Sequence, residues 1–235
     1  MDQSTRRNAL LVGATGLVGN ELLKLLLADA RYASVHSVGR RAPLIKHAKL
    51  VVHLLDLADT RQLAGTVPLT KKLAVLPALD DVYCCLGTTI KVAGSQAAFK
   101  SIDLDAVVAV AKAAAQTNKA ARLGVVSAMA ADPDSSVFYN RIKGQMEAAV
   151  VQLGFASVSI ARPSMLAGDR DSLRQASRPG ERIGLKLMTA ANFLIPVNYR
   201  AIAAADVAMA LYSMVTQGQP GVRIALSGEL AALRA

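Results

Sequence analysis

Short apolar runs alternate along the chain with longer amphipathic stretches, and most of the apolar runs end at glycine or at a polar residue. Runs of this kind are typical of buried parallel strands, whereas the longer stretches carry apolar residues at helical spacing. Their alternation predicts an α/β fold built on a doubly wound parallel sheet. The predicted strands are Arg6–Val12, Ser34–Val38, Leu50–Leu55, Asp81–Leu86, Leu123–Ser127, Ser157–Ala161 and Val222–Leu226. The predicted helices are Asn20–Ala28, Ile102–Thr117, Val137–Leu153 and Ala203–Val215, and a short helix with loops is expected within Thr60–Leu79.

The first apolar run leads into a turn with glycine at every third position, and an amphipathic run follows directly. Gly13 permits a tight turn, Gly16 lets the backbone approach a bound pyrophosphate, and Gly19 lets the helix pack closely. The free N–H groups and the positive end of the helix dipole then face the phosphates. This stretch therefore predicts a dinucleotide-binding turn. A plain strand-to-helix turn with surplus glycines is the alternative.

Two arginines follow the second predicted strand, where an NAD site usually places an acidic residue for the ribose 2′-hydroxyl. A guanidinium suits a 2′-phosphate, which it binds through paired charge-assisted hydrogen bonds. Arg40 and Arg41 therefore predict NADP(H), with a solvated basic turn as the alternative. Asp56, at the end of the third strand, is expected at the adenine edge, unless it is a surface cap.

A serine, a tyrosine and a lysine form the candidate catalytic group. Ser127 ends a predicted strand, and Tyr139 and Lys143 lie four residues apart on one face of the next predicted helix. A nearby ammonium lowers the pKa of a phenol, so that the phenol can exchange a proton with a carbonyl oxygen near neutral pH. We therefore expect Tyr139 to transfer the proton and Ser127 to hold the oxygen. The chance recurrence of a Tyr–Lys pair on a helix surface is the alternative.

Composition narrows the class of protein. The chain has 235 residues, of which 53% are hydrophobic, so a single domain with a sizeable core is expected and disorder is excluded. We expect no membrane span, because no apolar run approaches the roughly 18–20 residues that one needs. With no export signal recognised, a cytoplasmic location is expected. Cys84 and Cys85 are adjacent and have no metal-ligand spacing, so neither a metal site nor a disulfide is predicted.

The formal net charge of +10 is assigned to a pocket for an anionic cofactor and to a solvated surface, and no nucleic-acid partner is expected. Basic residues recur at intervals of four in one late stretch, which Pro179 and Gly180 interrupt. A solvated face accounts for this stretch, although it could also attract an acidic substrate. Its members are Arg170, Arg174, Arg178, Arg182 and Lys186.

Taken together, the motifs resemble the short-chain dehydrogenase/reductase superfamily, and specifically its atypical TIP30/CC3-like NAD(P)-binding family. The matching pieces are Gly13-Ala14-Thr15-Gly16-Leu17-Val18-Gly19, Gly39-Arg40-Arg41, Cys85-Leu86-Gly87-Thr88-Thr89, Ser127, Tyr139-Asn140-Arg141-Ile142-Lys143-Gly144, Arg162-Pro163, Leu166, Gly168 and Arg170. The resemblance implies one Rossmann-type NAD(P)-binding domain over residues 1–235, with a substrate-side insertion at about 163–200. It also implies a Ser-Tyr-Lys site whose lysine bonds the nicotinamide ribose.

The resemblance and the motifs together predict an NADP(H)-dependent oxidoreductase that acts on a carbonyl or alcohol in a small-molecule substrate, as a monomer or homodimer. A non-catalytic NADP(H)-binding regulator of a protein partner is the alternative. Many members carry a fourth catalytic residue, Asn, where this chain has Asp103, which puts that proton-relay role in doubt. The residues expected to bind the cofactor are Gly13, Thr15, Gly16, Leu17, Val18, Gly19, Arg40, Arg41, Asp56, Leu86, Gly87, Thr88, Thr89, Tyr139, Lys143, Arg162 and Pro163.

Overall fold

The computed structural model describes residues 6–57, 76–167 and 196–233. Within these segments, seven strands form one parallel sheet in the order β3-β2-β1-β4-β5-β6-β9. The predicted doubly wound parallel sheet is therefore confirmed. The strands of this sheet are β1 (Arg7–Val12), β2 (Tyr32–Gly39), β3 (Leu50–Leu54), β4 (Asp81–Cys84), β5 (Arg122–Val126), β6 (Ser157–Arg162) and β9 (Gly221–Leu226). Two short strands, β7 (Leu166–Ala167) and β8 (Ile202–Ala203), pair with each other in parallel.

Helices cover both faces of the sheet. They are α1 (Leu17–Ala28), α2 (Ile90–Ala93), α3 (Gln96–Lys100), α4 (Val107–Thr117), α5 (Phe138–Val151), α6 (Ala204–Gln217) and α7 (Ser227–Ala232). One buried cluster joins α1 and α6 to one face, and a second joins α4 and α5 to the other. Leu22 and Leu211 are fully buried in the first cluster and Met146 in the second. Burying such a side chain stabilises the fold by about 1.5–3 kcal/mol, so the two clusters hold the helices on the sheet. None of the helices in the described part of the chain is long and apolar enough to cross a membrane.

The segment after β4 differs most from the sequence prediction. β4 ends at Cys84 rather than Leu86, and the backbone N–H of Thr88 donates to the carboxylate of Asp103 instead of pairing with a neighbouring strand. The short helices α2 and α3 were not predicted, because four or five residues are too few to show a helical period. A π-helical segment over Ser101–Ala106 then leads into α4, where the pattern predicts an α-helix from Ile102.

Some predictions lie outside the described residues. They are most of the stretch Thr60–Leu79, the basic stretch from Arg170 to Lys186, and the greater part of the insertion at 163–200. The assignment of the whole chain to one domain also stays a prediction.

The chain order creates a crevice at one edge of the sheet. From β1 the chain continues outward to β2 and β3, and it then returns to the other side of β1 as β4. The connection that follows β1 and the connection that follows β4 therefore run in opposite directions along the sheet, and a crevice opens between these two strands. In doubly wound sheets, ligands bind at such a point, outside the carboxyl ends of the strands.

At the opposite edge of the sheet, where the strands have their amino ends, a buried carboxylate holds the strands together. Asp81, at the start of β4, is fully buried and receives hydrogen bonds from the guanidinium groups of Arg7 and Arg122 on the two flanking strands. The phenol of Tyr32 also donates to it at 2.7 Å. A buried charge needs such partners, because desolvation strongly disfavours an isolated one. Asp81 therefore ties β1, β2, β4 and β5 together, far from the carboxyl edge.

We predict that Asp81→Ala lowers the free energy of unfolding by about 3–5 kcal/mol, because two guanidinium groups lose their buried partner. Urea denaturation measures this loss. Asp105→Ala is the matched control, since Asp105 forms an exposed ion pair with Lys100 and should cost about 0–1 kcal/mol. Equal losses in the two variants would contradict the assignment of Asp81 as the clamp of this edge.

Candidate active site

The turn after β1 and the turn after β4 lie in close contact at the crevice. Gly13 has φ +87°, a conformation that favours glycine, and a Cβ placed on it would lie 2.6 Å from the backbone oxygen of Cys85. The backbone N–H of Cys85 donates to the oxygen of Val12 at 2.8 Å. A side chain at Gly13 would therefore force the two turns apart.

Helix α1 begins directly at this turn. Gly16 is its N-cap residue and so offers no capping side chain, and no acidic residue occupies its first turn. A Cβ on Gly19 would lie 2.1 Å from the backbone oxygen of Gly13, so Gly19 allows the helix to press against the turn. Leu17 and Val18 are buried in the core, which leaves only their backbone N–H groups for a ligand. The beginning of α1 therefore suits an anion, as the glycine spacing predicts.

The predicted adenosine side lies at the ends of β2 and β3. Arg40, Leu54, Leu55 and Asp56 line an open cavity of about 320 Å³. Arg40 and Arg41 are both exposed. The structure thus brings together Arg40 and Asp56, two residues that the sequence assigns to the same cofactor.

Lys143 forms the most buried ion pair of the site. Its side chain is 4% exposed and its Nζ lies 2.6 Å from Oδ1 of Asp103, whose side chain is 0% exposed. Burial alone would lower the pKa of Lys143, but the charge of the neighbouring Asp103 raises it above its usual value, so the lysine is cationic. A Cβ on Gly87 would lie 3.9 Å from Lys143 Nζ, which places the pair directly against the turn after β4.

The turn after β4 is shaped by two side-chain hydrogen bonds. The backbone N–H of Thr88 donates to Asp103 Oδ2 at 3.0 Å, and the hydroxyl of Thr89 accepts from Val92 N as the cap of α2. Leu86 packs against the core, while Gly87 is exposed. The four predicted residues of this turn therefore stand at the crevice, and Gly87 is the one that exposes its backbone.

Ser127 directly follows β5, and its hydroxyl lies in an unusual environment. The residue is 5% exposed, and its Oγ is buried without a hydrogen-bond partner among the residues that the structure describes. Its backbone N–H donates to the oxygen of Ala161 on β6 at 2.8 Å, which fixes the position of the residue. Buried polar groups are nearly always hydrogen-bonded, so an unpaired hydroxyl here indicates a place for a ligand oxygen.

The loop after Ser127 is attached to α5, which carries the other two predicted catalytic residues. The backbone N–H of Asp132 donates to the oxygen of Asn140 at 3.1 Å. A Cβ on Gly144 would lie 2.1 Å from the backbone nitrogen of Pro133. The loop is therefore held at the residues next to Tyr139 and Lys143. This contact links the ends of β5 and α5 at one edge of the sheet.

The ring of Tyr139 packs against α3. The centroids of the Phe99 and Tyr139 rings are 5.4 Å apart, and Phe99 is fully buried. Sequence reasoning missed Phe99, because α3 is too short to predict. The contact therefore restricts the position of the Tyr139 ring.

Arg162 is paired with a residue that the motifs did not reveal. Its guanidinium donates to both carboxylate oxygens of Glu147, with Nε–Oε1 at 2.9 Å. Glu147 is four residues beyond Lys143, so helical spacing was the available signal for its inward position. Pro163 is buried, and its backbone oxygen accepts from Met129 N. Cofactor binding by Arg162 and Pro163 stays a prediction, whereas their role in joining β6 to α5 and to the β5 loop is observed.

Comparison with the sequences of known proteins shows the family of the chain. Protein FMP52-2, mitochondrial, of Scheffersomyces stipitis is 31% identical over 186 residues, which cover 79% of this chain and 77% of that protein. Protein HTATIP2 of Rattus norvegicus is 31% identical over 180 residues, which cover 77% of this chain and 69% of that protein. The chain belongs to the FMP52/HTATIP2 family. The resemblance to the TIP30-like family is thereby confirmed, although no protein-family model matches the chain.

Solved structures confirm the fold of this member of the FMP52/HTATIP2 family. An oxidoreductase of the short-chain dehydrogenase/reductase family from Burkholderia thailandensis aligns with TM-score 0.70 and 17% identity, covering 97% of this chain and 94% of that one. The Bordetella bronchiseptica enzyme WbmF in complex with NAD+ aligns with TM-score 0.68 and 18% identity, covering 99% and 78%. YwfH, an NADPH-dependent reductase involved in bacilysin biosynthesis, aligns with TM-score 0.63 and 15% identity, covering 95% and 98%. The chain thus has the Rossmann-type fold of short-chain dehydrogenases/reductases.

The predicted cytoplasmic location is wrong. It is contradicted by the relatives in Scheffersomyces stipitis, Emericella nidulans, Coccidioides immitis and Candida albicans, which are named mitochondrial. The prediction failed because it considered only membrane spans and export signals. Segments that direct import into mitochondria are amphipathic and Arg-rich, and they lack a long apolar run.

We predict that Gly144→Ala separates α5 from the loop after β5, because the added methyl group meets backbone atoms that cannot move aside. Overpacking of this kind typically costs about 1–3 kcal/mol, which urea denaturation measures. Gly39→Ala is the control, since a Cβ there meets nothing within 4 Å. Unchanged stability of the Gly144→Ala variant would contradict the close contact.

Proposed function

We propose that the chain is an NADP(H)-dependent oxidoreductase that interconverts a carbonyl and an alcohol through Ser127, Tyr139 and Lys143. The observation that carries the proposal is the buried hydroxyl of Ser127, which has no partner in the described residues. It stands at the carboxyl end of β5, in a loop that is attached to the helix carrying Tyr139 and Lys143. A substrate oxygen would supply the missing hydrogen-bond partner.

The three side chains divide the work at the substrate oxygen. The Ser127 hydroxyl donates a hydrogen bond to that oxygen and holds it in place. Tyr139 gives a proton to the oxygen, or takes one from it, as a general acid or base. Lys143 remains cationic in its buried pair and stands one turn beyond Tyr139 on the same face of the helix. The resemblance to short-chain dehydrogenases/reductases supports the same division of roles.

The crevice between β1 and β4 fits a dinucleotide. The beginning of α1, with glycine as its N-cap and no acidic side chain in its first turn, suits the pyrophosphate. The exposed Gly87 lies beside Lys143 at the other turn. We assign the phosphate contacts to the backbone of residues 13–19 and the ribose contact to Lys143. When bound, the nicotinamide supplies or accepts the hydride.

The choice of NADP(H) rests on the end of β2. Arg40 is exposed beside the cavity that Asp56 also lines. NADP differs from NAD by one phosphate on the adenine ribose, for which an arginine is the preferred partner. We assign the main contact with this phosphate to Arg40 and a supporting one to Arg41.

Turnover should depend on the phenol of Tyr139. We predict that Tyr139→Phe lowers turnover about 10²–10⁴-fold, the usual contribution of general acid–base catalysis, while NADPH affinity stays nearly unchanged. The assay is NADPH oxidation with a panel of aldehydes and ketones, beside a calorimetric titration of NADPH. Tyr212→Phe, which removes a phenol bound to Asp29, is the control.

Full activity of Tyr139→Phe would contradict the proposed proton transfer. Tight NADPH binding by the wild type without turnover on any compound would instead support a non-catalytic NADP(H)-binding regulator.

Cofactor preference should depend on Arg40. A hydrogen bond to a charged group contributes about 1.5–3 kcal/mol, and about 1.4 kcal/mol is tenfold in affinity. We therefore expect the wild type to bind NADPH about 10- to 100-fold more tightly than NADH, and Arg40→Asp to lose most of this preference. Calorimetric titration of both cofactors is the measurement. Lys46→Asp makes the same charge change at an exposed position and should keep the preference. Equal wild-type affinities for the two cofactors would exclude phosphate recognition by this turn.

A further inference from the structure

The carboxylate of Asp103 is buried and contacts a buried charge and a backbone N–H at the same time. Its Oδ1 lies 2.6 Å from Lys143 Nζ, and its Oδ2 accepts the backbone N–H of Thr88 at 3.0 Å. Both charged side chains are almost completely removed from solvent. Opposite charges in such surroundings interact with little screening. The ammonium of Lys143, which the proposed mechanism pairs with Tyr139, is therefore itself paired with the negative charge of Asp103.

The backbone around Asp103 is built to hold this carboxylate inward. Asp103 lies in the π-helical segment Ser101–Ala106, between α3 and α4. A single π-helical turn inside a helix often marks a functional site, because it changes the direction in which side chains point. Phe99, shortly before the segment, contacts Tyr139. The same few residues thus contact both members of the Tyr–Lys pair.

An isolated ammonium and a neutralised one act differently on a neighbouring phenol. A lone positive charge favours the phenolate, and it shifts a titration by about 1–3 pH units when it lies within about 4–6 Å. The Asp103–Lys143 pair has no net charge, so the positive field at Tyr139 is much weaker. An amide at position 103 could accept a hydrogen bond from Lys143 but would leave its charge uncompensated.

The other ionisable groups near the pair leave this balance unchanged. Burial raises the pKa of the Cys84 thiol to about 11, so that it is neutral near pH 7. Glu147, on the next turn of α5, is paired with Arg162, and Arg141 donates to the backbone oxygen of Ser135. Within the segments that the structure describes, Asp103 is thus the anion that faces Lys143.

We propose that Asp103 is a positioning residue that neutralises Lys143, keeps Tyr139 protonated to higher pH and thereby favours proton donation in carbonyl reduction. In that direction the carbonyl oxygen receives the Tyr139 proton while the carbonyl carbon receives a hydride from NADPH, so the substrate is reduced and the cofactor oxidised. This catalytic consequence rests on the proposed function. The electrostatic effect of Asp103 on Tyr139 is independent of the proposed function.

The test is a titration of Tyr139 that needs no substrate. Tyrosinate absorbance is followed against pH in the wild type and in Asp103→Asn, and each curve is corrected by subtracting the same protein with Tyr139→Phe. The subtraction removes the other tyrosines, of which Tyr32 and Tyr83 have pKa values raised by burial. We expect the Tyr139 midpoint of Asp103→Asn to fall by about one pH unit or more. An unchanged or higher midpoint overturns the proposal.

Two further variants make the result decisive. Asp105→Asn is the same substitution at an exposed residue paired with Lys100, and it should leave the midpoint unchanged. Asp103→Asn combined with Lys143→Met removes both charges, so it keeps a site without a buried unpaired ion even if Asp103→Asn alone does not fold. Its midpoint should stay within about half a pH unit of the wild type, because the pair it replaces is neutral. A rise of about one unit would show that Lys143 acts unneutralised and would overturn the proposal.

A turnover measurement separates this inference from the proposed function. If a carbonyl substrate is found, the alkaline fall of the reduction rate should move to lower pH in Asp103→Asn, in step with the titration. Absence of turnover in the wild type would count against the oxidoreductase, while the titration would still decide the role of Asp103.

Discussion

The buried ion pair between Asp103 and Lys143 is the interaction on which the carboxyl edge of the sheet depends. Neither charge could remain in the interior without the other, and breaking such a pair typically costs about 3–5 kcal/mol. The pair joins the π-helical segment to α5, and through Thr88 it also holds the turn after β4. The pair therefore fixes both the part of α5 next to Tyr139 and the turn that lines one side of the crevice.

A second buried aspartate lies at the opposite edge and has a different consequence. Asp81 is held by two guanidinium groups and a phenol, and its partners all lie at the amino ends of strands or beside them. That cluster stabilises the order of the sheet without facing the crevice. Because the two clusters are separate, the carboxyl ends of the strands remain available to other groups, such as the Ser127 hydroxyl, which has no partner among the described residues.

Helix α5 connects these parts because one of its faces carries, at intervals of four, three residues that contact other elements. Tyr139 packs on Phe99, Lys143 binds Asp103, and Glu147 binds Arg162. Gly144, beside them, allows the loop from β5 to lie directly on the helix. Residues that are scattered along the chain meet on one helix face.

Much of the fold could be predicted from local pattern. Strand positions follow from apolar runs, and the glycine spacing at 13–19 predicts the turn that Gly13 makes at φ +87°. The i, i+4 spacing also predicts that Tyr139 and Lys143 share a face. Each of these signals is contained within a few consecutive residues, so the sequence by itself determines them. The same signals predict that the candidate residues gather at the carboxyl ends of the strands, where ligands bind in doubly wound sheets.

Only the tertiary structure decided how the charges of the site are paired. Asp103 and Lys143 are far apart in the chain, as are Glu147 and Arg162, and no period relates either pair. The short helices and the π-helical segment after β4 are also tertiary features, since four to six residues carry too weak a local preference to form alone. Long-range burial determines these elements, because an ion pair in the interior forms only where packing has already excluded water.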